Sequence, residues 1–170
     1  MSYRNKTYVA SASEDIRSYR LMEAWRQNEH IDFSFFDAHD LYVARDSSQP
    51  ETIKARLRER LKNAKQVVLL GSAKAKQKGG DGTSFLSYEV DTIIRMDMPV
   101  VVANLDGDRT IDHNFIPSPF LVNKYYALSV SFQPAIIKYA LDNYASGYPS
   151  TPRKEGPHYY EGHVYEKLGL

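Results

Sequence analysis

The stretch QVVLLGSAKAKQKGGDGTSFLSYEVDTIIRMDMPVVVA, residues 66–103, decides how the rest of the chain is read. It opens on Gln66–Leu70, an apolar run closed by Gly71, and ends on Pro99–Ala103, again almost wholly apolar. Strands apolar at every position, rather than at alternate ones, are buried on both faces. A loop rich in glycine and lysine, residues 71–83, separates the first strand from a helix expected from about Ser84 to Asp97. In that helix Leu86, Val90, Ile93 and Ile94 form one apolar stripe. Strand, helix, strand in this order is the repeating unit of a parallel sheet covered by helices.

Outward from this unit the same alternation continues. Thr7–Ala12 (TYVASA) reads as a first strand, and Glu14–Asn28 as a helix with Ile16, Tyr19, Met22 and Trp25 three apart. Ile31–Phe36 (IDFSFF) reads as a second strand, followed by a long polar connection. A helix carrying Ile53, Leu57 and Leu61 on one face then leads into residue 66. Downstream, Gly107, Pro117 and Pro119 argue for irregular chain over 104–124. Tyr125–Phe132 reads as a fifth strand, and Pro134–Tyr144 as a last helix. The expected organisation is one domain over residues 1–145 and a Gly/Pro/Tyr-rich extension over 146–170, lying on the domain or on a partner.

Five mostly parallel strands with helices on both faces give a three-layer, flavodoxin-like α/β fold, with expected strand order 2-1-3-4-5. Ligands of such sheets bind outside the strand C-termini where the order reverses, here between strands 1 and 3. The loops beginning at Ser11, Asp37, Gly71 and Asn104 should rim that edge.

Composition narrows the function. At 170 residues, 42% hydrophobic and 25% charged, the chain suits one globular domain. A net charge of +1 implies no general attraction to nucleic acid or membrane, and neither is expected as a partner. The absence of cysteine removes disulfides, thiolate metal sites and cysteine nucleophiles, and suits a reducing cytoplasm. Glu14 and Asp15 interrupt the N-terminal region, which lacks the apolar segment of a secretory leader. A cytoplasmic protein is expected. The glycines of KGGDGTS (78–84) are not followed by G-K-[ST], so this is no Walker loop, and the five histidines lack metal-ligand spacing. A receiver domain needs an aspartate where Gly71 ends its strand and a lysine where Gln133 follows another; that reading fails.

Glu89 is the candidate catalytic residue. It falls on the shoulder of the apolar stripe, about one and a half turns from the start of its helix at ~1.5 Å per residue, and so near the expected crevice. A carboxylate at an apolar margin beside a cleft is a candidate working group; the plainer reading is a half-exposed helix glutamate paired with a base.

VVLLGS (67–72) followed by SFLSYEVDTII (84–94) resembles the third strand and following helix of TIR-like domains, where a strand ending in an L-I-G-type turn precedes a helix carrying W-V-x-x-E-[IL]. YVASASED (8–15) is similar to that family's F-[IV]-S-[FY]-x-x-x-D entrance, and FFDAHDL (35–41) resembles its second strand and loop. The resemblance covers about residues 6–145 and is nearest to the bacterial TIR-like proteins of Thoeris-type anti-phage defence. It implies an enzyme that cleaves the nicotinamide–ribose bond of NAD with one glutamate, here Glu89, and makes an ADP-ribose-derived signalling nucleotide. NAD is then a substrate, and no cofactor or metal is implied. The implied partners are other copies through TIR surfaces and a downstream nucleotide-sensing effector. The alternatives are a non-catalytic TIR-type interaction or nucleotide-sensing module, and a nucleoside deoxyribosyltransferase-like enzyme.

The binding residues that go with this resemblance are Ser11, Ser13, Asp37, Gly71, Ser72 and Phe85. Ser11 and Ser13 offer hydroxyls to phosphate or ribose, or else cap the first helix. Asp37 offers a carboxylate to a ribose hydroxyl, or simply begins a loop. Gly71 and Ser72 permit close ligand approach or turn the chain. Phe85 stands where relatives commonly carry tryptophan and keeps an aromatic wall. Tyr88 and His39 are secondary candidates.

Overall fold

The computed structural model describes residues 7–31, 49–150 and 155–170. Their sheet has five parallel strands in the order β1 (Thr7–Ala10), β2 (Gln66–Gly71), β3 (Val100–Asn104), β4 (Leu128–Ser131) and β5 (His158–Tyr159). Successive residues of β2 face opposite ways, so Val67 and Leu69 join one core and Val68 and Leu70 the other. Every residue of β1 to β4 is buried. The uninterrupted apolar runs mark strands covered on both sides, as expected.

One face carries α2 (Pro50–Asn63) and α4 (Phe85–Met96), which bury Ile53, Leu57, Leu61, Leu86, Val90 and Ile93 against Tyr8, Leu69 and Val102. The other carries α1 (Ile16–Gln27) and α6 (Pro134–Ala140), the latter continued by a wider turn over Leu141–Ala145. The α/β class with helices on both faces is therefore as expected.

Four features depart from the sequence reading or fall beyond it. The expected second strand lies, from residue 32 on, outside the described residues, as do Asp37 and His39, so the 2-1-3-4-5 order is not established. The Gly/Lys-rich stretch is not all loop: Ala73–Lys78 forms a helix, α3. Alanine, lysine and glutamine are strong helix formers, and Ser72 accepts a hydrogen bond from the Ala75 N–H to start the turn. The irregular stretch holds a short helix, α5 (Ser118–Val122), because its prolines sit at the cap and in the first turn, where no backbone donor is missed. Last, the C-terminal residues supply β5 and α7 (Gly162–Lys167), and Tyr165 is fully buried among the residues of the second core.

Candidate active site at the C-terminal edge of the sheet

Parallel pairing brings the ends of β1 and β2 to the same edge, with Ala10 opposite Leu69. Beyond β1 the chain runs through Ser11 and Ala12 into a tight turn, Ser13–Asp15, closed by the Asp15 N–H donating to the Ala12 carbonyl at 3.0 Å. Beyond β2, Ser72 and α3 return the chain toward the same place. The first turn of α4 closes the third side.

Between these three walls lies a cleft of about 160 Å³, lined by Ser11, Ala12, Ser13, Lys78, Ser84, Phe85 and Leu86. Three of the expected binding residues, Ser11, Ser13 and Phe85, meet here. Neither serine caps the first helix: the cap positions are Ala12 and Asp15, and neither makes a side-chain cap bond. Both line the cleft wall, Ser13 as the first residue of the tight turn that leads into α1.

The loop before α4 is held by Asp81, whose carboxylate accepts from the Thr83 N–H at 2.9 Å, the Ser84 N–H at 2.8 Å and the Ser84 hydroxyl. These bonds, the Ser84 hydroxyl foremost, hold the Asp81 carboxyl below its usual range. The Gly82 N–H donates to Ser87 Oγ at 3.0 Å, which anchors the loop to the helix it precedes.

Two contacts tie the β1 loop to α3. The Ser72 hydroxyl donates to Asp15 Oδ2 at 2.5 Å, and the Lys78 ammonium pairs with the Glu14 carboxylate. Burial pushes the Asp15 carboxyl above its usual range, opposed by the Ser72 donation. The Lys78 hydrogen bond pulls the Glu14 carboxyl below it. Ser72 thus serves the framework, donating to one element and capping another.

Glu89 lies directly under this assembly. It follows Phe85 by four residues and Leu86 by three on α4, so it shares their face one turn deeper. Its side chain is fully buried, and the Tyr8 hydroxyl donates to its Oε2 at 2.7 Å. It does not line the cleft; Ala12 and Leu86, both buried members of the same core, stand there. The plainer reading of Glu89 as a half-exposed surface residue is set aside by its burial.

Gly71 is accounted for by packing: a Cβ there would come within 3.0 Å of both Asn104 Oδ1 and Val102 Cγ1. Asn104 folds its own loop inward, donating to Ser129 Oγ at 2.8 Å and to the Asp108 carbonyl at 3.0 Å. The edge beyond β3 therefore adds nothing to the cleft wall. Tyr88 packs against the core with the Lys54 ammonium 5.7 Å from its ring centre, away from the lining.

Sequence reasoning missed Tyr8, Asp15, Lys78 and Ser84. Tyr8 was legible: strand alternation puts it on the same side as Ala10 and Ala12, facing the helix that carries Glu89. Lys78 was hidden by reading its segment as a solvated loop, and once Ser72 is seen as a helix cap its place follows. Residues 1–110 match the family model described as Thoeris protein ThsB, TIR-like domain, a span that takes in Tyr8, Glu89 and every residue lining the cleft.

Proposed function

On the premise that the chain belongs to the Thoeris ThsB TIR-like family, we propose that it consumes NAD, breaking the nicotinamide–ribose bond to produce an ADP-ribose-derived nucleotide signal in anti-phage defence. The observation that carries this reading is a buried carboxyl, Glu89, held by Tyr8 one helical turn beneath a hydroxyl-lined cleft at the sheet edge.

The chemistry asks for such a group. As the C–N bond breaks, its electron pair leaves with nicotinamide, which was a cationic pyridinium and departs neutral without a general acid. Positive charge grows on the ribose, as in oxocarbenium-like glycoside cleavage. A carboxylate set against that carbon stabilises the transition state more than the ground state, and a low-dielectric setting magnifies the effect. Water completing the reaction gives ADP-ribose and one proton; a hydroxyl or base nitrogen of the nucleotide in place of water gives a cyclic product. Glu89 is fully buried and does not line the cleft, so for it to reach the ribose the cleft wall must open when substrate enters. This fits an enzyme that awaits a trigger.

The protein would act in the cytoplasm, pass its product to a nucleotide-sensing effector, and assemble with its own copies through TIR surfaces. No helix among the described residues is long and apolar enough to cross a membrane. Product identification after incubation with NAD, alone and with lysate of phage-infected cells, tests the proposal; ADP-ribose or a cyclic derivative alongside free nicotinamide is expected. Unaltered NAD under both conditions would refute it. The burial of Glu89 favours one second reading, a sensing module that binds a nucleotide without turning it over, and that reading predicts binding with no product. Base exchange on a 2′-deoxynucleoside, the deoxyribosyltransferase reaction, is read by supplying a 2′-deoxynucleoside together with an acceptor base.

A further inference from the structure

We infer that Lys78 is the residue through which the cleft binds a phosphate-bearing ligand, and that Glu14 holds its ammonium in reserve until such a ligand arrives. This rests on the nucleotide reading above and deepens it: the ligand class is set by its phosphates, and a carboxylate of the protein itself competes for the same charge.

Among the described residues Lys78 is the one charged side chain in the cleft lining, and the rest of their polar lining is hydroxyl: Ser11, Ser13 and Ser84. An ammonium among hydroxyls presents donors, which suits the acceptor-only oxygens of a phosphate. A neutral sugar or base has no need of the charge. Lys78 closes α3 at its C-terminal end, so its position is fixed by the Ser72 cap at the other end of the same short helix.

At rest the ammonium is engaged by Glu14, the residue after Ser13 in the turn that forms the opposite wall. The pair links a lining residue, Lys78, to the turn that carries the lining residue Ser13. Both side chains are partly exposed, 31% for Lys78 and 40% for Glu14, and a solvent-screened pair in such a setting contributes little to stability. A pyrophosphate, with one negative charge on each of its two phosphorus centres and four non-bridging acceptor oxygens between them, out-competes a single screened carboxylate. Exchange of one anion for the other is therefore downhill. It also removes one of the two ties between the β1 turn and α3, leaving the Ser72–Asp15 hydrogen bond as the other.

Isothermal titration of the full chain with ADP-ribose and with adenosine, which lacks phosphate, tests this. Lys78→Gln is expected to weaken ADP-ribose about tenfold, one lost charge-assisted contact, and Glu14→Gln to strengthen it about threefold. Adenosine affinity should move in neither variant. Both positions are at the surface, and matched melting curves confirm that the variants fold. Equal ADP-ribose affinity in wild type and Lys78→Gln, the same loss for adenosine, or no ADP-ribose binding by any variant would each overturn the inference. Nicotinamide release is measured on the same samples. Release with Lys78-independent binding removes this inference and leaves the enzymatic reading standing, whereas Lys78-dependent binding without release does the reverse.

Discussion

Glu89 and Tyr8 come from elements far apart in sequence, a helix after β2 and the first strand, yet share one hydrogen bond in the core. A typical hydrogen bond contributes about 0.5–1.5 kcal/mol net, and here it also fixes where the carboxyl points. Tyr8→Phe keeps the ring and its packing while deleting the donor. On the proposed mechanism kcat should fall about tenfold with KM little changed, because the lost contact orients the carboxyl rather than the substrate. Steady-state kinetics check it; an unchanged kcat would make Tyr8 a packing residue alone. Asp15 offers a test of sign. Burial raises its folded-state pKa above the unfolded value, so the folded protein takes up the proton first as pH falls. Its contribution to stability is fullest below the unfolded value and drains away as pH rises through the folded one. Asp15→Asn, always neutral and still able to accept from Ser72, should therefore exceed wild type in urea midpoint near neutrality, by a margin that shrinks toward about pH 4.

At the scale of elements, the segment between β2 and α4 shapes the cleft, and its glycines are not equivalent. A Cβ on Gly79 would lie 2.6 Å from Pro117 Cγ and 2.7 Å from the Ala75 carbonyl, so α3 is packed tightly against the chain leading into α5. Gly79→Ala should destabilise by about 1–3 kcal/mol through overpacking. At Gly162, the first residue of α7, a Cβ meets nothing within 4 Å, and alanine should stabilise by about 0.4–1 kcal/mol. Denaturant melts of the two variants should move in opposite directions. The same segment shows why sequence was a partial guide. The buried strands and the stripe of α4 were legible because burial on both faces leaves an unbroken apolar run, and burial on one leaves a period. Placing Lys78 needed the knowledge that a serine hydroxyl folds back on Ala75, a local bond that competing turn residues make invisible in composition. Glu89 was placed on the right face but too near the surface, since a single helix's periodicity cannot say how deeply β1 buries it.

Over the whole molecule, the sheet edge bearing the cleft and the aromatic C-terminal region occupy different parts of one framework. Tyr165 sits at zero exposure, receives the Ser131 N–H at 3.1 Å and lies under the Arg109 guanidinium, 4.5 Å from its ring centre. Tyr126 stacks on Tyr148 and accepts, through its carbonyl, the Tyr144 hydroxyl at 2.6 Å. Burial pushes the Tyr144 and Tyr125 hydroxyls above their usual range, so both stay protonated donors, Tyr125 to the Met98 carbonyl at 2.5 Å. Composition had shown a Tyr-rich ending without showing that its aromatic rings fill the second core, since such contacts join residues dozens of positions apart. This half of the core packs against the sheet whose strand ends carry Ser11 and Ser72. The most direct measurement on that account is the initial rate of nicotinamide release at saturating NAD, with infected-cell lysate present, for wild type and a Glu89→Gln variant of matched melting temperature. A fall of about 10²–10³ in the variant is predicted, the size expected when a preorganised charge is removed from a developing one. Equal rates in the two proteins would contradict it.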